Sequence, residues 1–64
     1  MENDIDAKNP KRNENGTIDL ELNHPVHGWI PFTASPDDPE AHGRAIYEFA
    51  ERGDFGKIKE LNNG

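Results

Sequence analysis

Residues 17–33 read Thr17-Ile18-Asp19-Leu20-Glu21-Leu22-Asn23-His24-Pro25-Val26-His27-Gly28-Trp29-Ile30-Pro31-Phe32-Thr33. Polar and apolar residues alternate strictly over 17–23, the period of a half-buried strand with Ile18, Leu20 and Leu22 on one face. Asn15-Gly16 just before it is a turn signal. His24-Pro25 ends the strand, because proline brings no N–H to a ladder, and Val26-His27-Gly28 makes a turn. Residues 29–33 form a second extended segment, which Pro31 confines to a sheet edge or a bulge. The expectation is a β-hairpin of about 17–23 and 29–33. A lone hairpin is marginal in water, so a helix must cover it.

That helix is marked downstream. Ser35-Pro36-Asp37-Asp38 fits a capping pattern with Ser35 as N-cap and Pro36 at the first helical position. It predicts one main helix over about 36–52, with Asp38-Pro39-Glu40 as an alternative start one turn later. Asp37, Asp38 and Glu40 then lie where the helix dipole favours anions. Ile46, Phe49 and Ala50 keep helical spacing, flanked by His42 and Ala45. Gly43 weakens the middle by up to about 1 kcal/mol, or else admits a close approach by other chain. Arg52-Gly53 is a C-terminal signal. Beyond it Asp54 opens a short C-terminal helical turn with Phe55, Ile58 and Leu61 facing the core, and Asn62-Asn63-Gly64 frays. The fold class is α+β.

Composition divides the chain. It has 64 residues, 13 acids against 7 bases, a net charge of −6 and a mean hydropathy of −1.03. One domain is the ceiling at this length, and its stability is marginal without staples. Residues 1–15 contain one large aliphatic residue, Ile5, besides Met1, and read as a flexible N-terminal arm. Residues 16–64 read as a single small α+β domain, with partner-assisted folding or oligomerisation as a serious option. The chain contains no cysteine, so disulfides and cysteine-based zinc sites are excluded, with a slight lean toward a cytosolic setting. The apolar runs are too short for a membrane span.

Few residues point to chemistry. His24-Pro25-Val26-His27 has an H-x-x-H spacing and His42 lies on the helix, but the Pro25 turn does not hold the geometry of two ligands on a helix face. Ordinary hydrogen-bonding histidines are the better reading, and no metal or cofactor is expected. Ser35, the single serine, already serves as a cap. A chain this short leaves little volume for a ligand pocket, so no catalytic residue is expected and the chain reads as a non-enzyme. Direct binding to nucleic acid is disfavoured by nine acids against four bases in residues 17–64. Gly53-Asp54-Phe55-Gly56-Lys57 does not match a phosphate-loop spacing. What stands out is Gly28-Trp29-Ile30-Pro31-Phe32. Trp29 and Phe32 are an odd number of residues apart, so an extended chain can turn one to the core and one outward. Tryptophan is enriched at interface hot spots, and a proline-bearing edge can accept a partner's strand with fewer donors on offer.

The block His24–Asp38 (HPVHGWIPFTASPDD) resembles a segment of small proteins of tailed bacteriophages and prophages. In that family an alternating strand leads into His-Pro-x-x-Gly-Trp-Ile-Pro-Phe-Thr-Ala. A helix with Gly-Arg near its start follows, here Gly43-Arg44, and then a Gly-Asp-Phe-Gly turn, here Gly53–Gly56. The likeness spans roughly Gly16 to Ile58. It implies a virion-structural or tail-assembly role without catalytic residues, in the bacterial host cytoplasm or the virion tail. The expected partner is a tail or tail-fibre protein, or further copies of this chain. Trp29, Ile30 and Phe32 are the expected contact residues, with Arg44 and Tyr47 on the helix as secondary ones. The alternative is a small acidic inhibitor that mimics nucleic acid toward a host nuclease or defence complex. A third reading is a stand-alone copy of a module fused elsewhere to a larger structural protein.

Overall fold

A computed structural model describes residues 4–61. Met1 to Asn3 of the expected arm, and the Asn62-Asn63-Gly64 end expected to fray, lie outside the described residues. The chain runs β1 (Ala7–Arg12), β2 (Ile18–His24), β3 (Gly28–Ala34) and α1 (Ala41–Arg52). The strands form one antiparallel sheet in the order β1-β2-β3. The α+β expectation and the pairing of the second and third strands therefore hold. Leu20 faces Phe32, Leu22 faces Ile30 and Ile18 faces Ala34. Alternation puts Ile18, Leu20 and Ala34 on the face that α1 covers, where they are buried with Ile46, Phe49, Ala50, Phe55 and Ile58.

Three expectations need correction. The hairpin is a three-stranded meander, because Ala7–Arg12 of the expected flexible arm is a strand. Composition hides it, since β1 is held by main-chain bonds rather than apolar mass. A bulge at Asn9-Pro10, with Asn9 at φ 56, shifts its register against β2. Its outward edge is bonded as well: the Lys59 N–H donates to the Pro10 carbonyl and the Arg12 N–H donates to the Lys59 carbonyl, each at 2.9 Å.

The main helix starts at Ala41, not near Pro36. The residue before a proline avoids α geometry, so Asp38-Pro39 interrupts any helix begun at Ser35. Ser35 instead caps a turn, its Oγ accepting from the Asp37 N–H at 3.1 Å. Asp38 does the comparable work one turn later, its Oδ1 accepting from the Glu40 N–H at 2.8 Å. The expected C-terminal helical turn is also absent among the described residues. Gly53 (φ 88) receives the end of α1, its N–H donating to Ala50 and that of Asp54 to Phe49. Gly56 (φ 98) then sends the chain extended toward β1. Phe55 still reaches the core, edge-on to Phe49 at 6.4 Å, and Ile58 is buried, but Leu61 is 40% exposed.

Arg12 fastens the ends of this arrangement. Its Nε donates to Glu60 at 2.6 Å and its Nη1 to Glu51 at 2.8 Å, so one planar fork joins β1, α1 and the C-terminal segment. Its side chain is 23% exposed. Glu60 and then Glu51 push the guanidinium pKa further up, and the Arg12 hydrogen bond, followed by that of Tyr47, holds the Glu51 carboxyl below its usual range. A depressed carboxylate pKa adds stability above the unfolded value, and that stability is lost as pH falls through the folded value. Arg12→Ala is expected to cost on the order of 1 kcal/mol at pH 7, since the two carboxylates are 40% and 58% exposed and screened. Arg12→Lys is expected to fall well short of rescue, because an ammonium lacks the fork. Urea midpoints taken from about pH 5 down to pH 3 should show the gap between wild type and Arg12→Ala closing.

Gly43 is the close-approach case, and the approaching group is Asp38. A Cβ on Gly43 would stand 2.1 Å from Asp38 Oδ2 and 2.5 Å from its Cγ. A methyl there evicts the side chain that caps Glu40. Gly43→Ala is therefore expected to destabilise the wild type by about 1 kcal/mol and to cost less in an Asp38→Ala background, where only the Cβ at 3.1 Å remains in the way. A thermal-unfolding double-mutant cycle reads this coupling.

Candidate interaction face

The strand alternation that buries Ile18 and Leu20 points Asp19, Glu21 and Asn23 of β2 to the face away from α1, with Lys8 and Lys11 of β1 and Trp29, Pro31 and Thr33 of β3. Most polar groups on this face are tied to one another. Thr33 donates to Asp19 at 2.6 Å, Asn9 to Glu21 at 2.6 Å and Asn23 to Asp6 at 3.0 Å. The Thr33 hydrogen bond, then that of Asn13, then the charge of Lys11 hold Asp19 below the ordinary carboxylate range. Trp29 is the large apolar group left on this surface, 42% exposed, with Lys8 Nζ 4.0 Å from the ring centroid. Such a stack is worth about 0.5–1 kcal/mol at an exposed site. It holds one face of the indole while the other side of the ring stays accessible.

The five expected contact residues occupy four places. Trp29 is on the open face. Phe32 points the other way, half-buried against the core, as the odd spacing predicts. Ile30 is half-buried beside Leu22 and His42, in a notch of about 270 Å³ at the N-terminal end of α1. Arg44 is exposed on α1 and donates to the Asp38 carbonyl at 2.6 Å, which makes it part of the helix entry. Tyr47 is half-buried against the core beside the Arg12–Glu51 pair. Arg44 and Tyr47 share a shallow hollow with Pro36, remote in the fold from the open sheet face.

Sequence reading missed Lys8 and Asn9, which complete the open face from β1. The Asn9-Pro10 pair is a turn signal in the sequence, but only the bulge brings Asn9 over Glu21. The H-x-x-H spacing has a local use. His24 Nδ1 accepts from the N–H groups of Val26 at 3.1 Å and His27 at 3.2 Å, which commits that nitrogen to the turn. Among the described residues no group of three or more histidines and acids is placed to hold a metal ion, and no helix is long and apolar enough to cross a membrane. Compared with family models, curated proteins and solved structures, the chain matches none.

Since Trp29 packs on Lys8 and not on the core, Trp29→Ser is expected to keep the fold and to cost about 1 kcal/mol or less. Phe32→Ala, against Leu20 in the core cluster, is expected to cost about 2–3 kcal/mol. Chemical denaturation of the two variants reads the difference.

Proposed function

We propose that this chain is a non-enzymatic module that acts by protein contact, with Trp29 as the anchor. The observation that carries this reading is a half-exposed indole on the face the helix leaves open, surrounded by polar groups already bonded to one another. A preordered aromatic ring beside satisfied polar groups gives apolar contact area at little entropic cost. The resemblance of His24–Asp38 to proteins of tailed phages supplies the setting: tail or tail-fibre structure or assembly, with a tail or fibre component as the partner. Ile30 and Phe32 contribute by shaping β3 rather than as anchors. Arg44 and Tyr47 belong to the packing of α1 and leave the contact surface.

The test is affinity capture from phage-producing cells, with mass spectrometry at low and high salt. The expected result is a tail or fibre protein that survives high salt and is reduced at least about tenfold by Trp29→Ser. An apolar anchor is insensitive to screening, whereas an acidic decoy is not. Capture of a nuclease or DNA-binding complex that high salt releases would replace this reading with that of an acidic inhibitor. Undiminished capture by Trp29→Ser would remove Trp29 from the contact.

A further inference from the structure

We propose that the partner binds as an added β-strand along the outer edge of β3, which no other strand among the described residues pairs, and that this strand comes from a different protein rather than from a second copy. The proposal deepens the Trp29 reading and rests on it.

The two edges of the sheet are unequally protected. β1 carries devices that blunt an edge: a bulge at Asn9-Pro10, the cations Lys8, Lys11 and Arg12, and a covering main chain at Lys59. β3 reads Gly28-Trp29-Ile30-Pro31-Phe32-Thr33-Ala34, without a charge. It presents apolar side chains on both faces, Trp29 on one and the half-buried Ile30 and Phe32 on the other. An uncharged strand without a covering segment lacks the devices that keep an edge from pairing. A strand laid beside β3 would flank all three side chains.

The main-chain directions fit. The Asn23 N–H donates to Asp6, so the odd-numbered residues of β2 turn their amides toward β1 and the even-numbered ones toward β3. His24–Gly28, Leu22–Ile30, Leu20–Phe32 and Ile18–Ala34 are then the bonded pairs of the β2–β3 ladder. Trp29, Pro31 and Thr33 face outward. Pro31 therefore breaks no bond to β2, and the free edge offers carbonyls at all three positions but N–H groups at Trp29 and Thr33 alone.

This pattern selects the occupant. In a two-fold antiparallel pairing of two copies centred on Pro31, the two prolines meet, both donors of the central pair are missing, and two carbonyls face each other. Two chains of net charge −6 also repel. A foreign strand with an N–H opposite Pro31 forgoes a single bond. Asp37 and Glu40 are exposed and follow Ala34 by three and six residues along the chain. They favour a segment that is apolar, free of proline and basic at that flank.

The test compares Thr33→Pro with Thr33→Val, using the captured partner and the full chain. Both variants lose the hydroxyl bond to Asp19, but only the proline removes an edge N–H, and at this position it takes no bond from β2. Circular dichroism and melting of each variant establish that the fold is kept. The expected result is a loss of binding of about tenfold or more for Thr33→Pro and little change for Thr33→Val. Pro31→Val, which adds a donor, should bind about 2- to 10-fold more tightly. Equal binding by the Thr33 pair, while Trp29→Ser still loses the partner, would overturn strand addition and leave the Trp29 contact standing. Sedimentation of the wild type as a dimer that Thr33→Pro splits would overturn the foreign-strand assignment in favour of a second copy.

Discussion

A single guanidinium ties β1, which brings little apolar surface, to α1 and the C-terminal segment. Arg12 leaves β1 on the helix side of the sheet and reaches carboxylates on α1 and on the segment after Gly56. The apolar core ties β2, β3, α1 and, through Phe55 and Ile58, the C-terminal segment together. β1 contributes a half-buried Ala7 and a buried Pro10 to it. Its attachment is therefore electrostatic and main-chain in character, through the Arg12 fork, the β2 ladder and the two bonds to Lys59. In so small a domain each of these is a sizeable part of a marginal total.

This division explains what could be read from the sequence. Hydrophobic periodicity located β2, whose inner residues are apolar and outer ones polar, and the core face of α1 at Ile46, Phe49 and Ala50, while the apolar run after the Gly28 turn located β3. It assigned Ala7–Arg12 to a flexible arm, because a strand held by carbonyls, amides and a long-range ion pair leaves no periodic trace. The helix start was misjudged for a narrower reason. Ser35 and Asp38 are both good capping residues, and Pro39 decides between them by forbidding α geometry at Asp38. The alternative start at Asp38-Pro39-Glu40 is the one the chain uses.

The contact residues divide along the same line. The odd spacing of Trp29 and Phe32 made opposite faces legible, and the packing of Phe32 against the core decides that Trp29 is the outward one. Arg44 and Tyr47 share its exposure class or its aromaticity, but they serve α1, one through the Asp38 carbonyl and the other beside Arg12 and Glu51. Lys8 could not be paired with Trp29 in advance, since the pairing depends on the register of a strand whose existence was hidden.

The Lys59 bridge has a consequence for how many neighbours the sheet can have. A sheet with two open edges is divalent and can propagate into a filament, whereas one with a single open edge is monovalent and terminates whatever it joins. Lys59 occupies the Pro10 carbonyl and the Arg12 N–H, so among the described residues, and on the strand-addition proposal, β3 is the edge left for a neighbour. On that proposal, cleavage between the exposed Gly56 and Lys57 would loosen this cover and open a second edge.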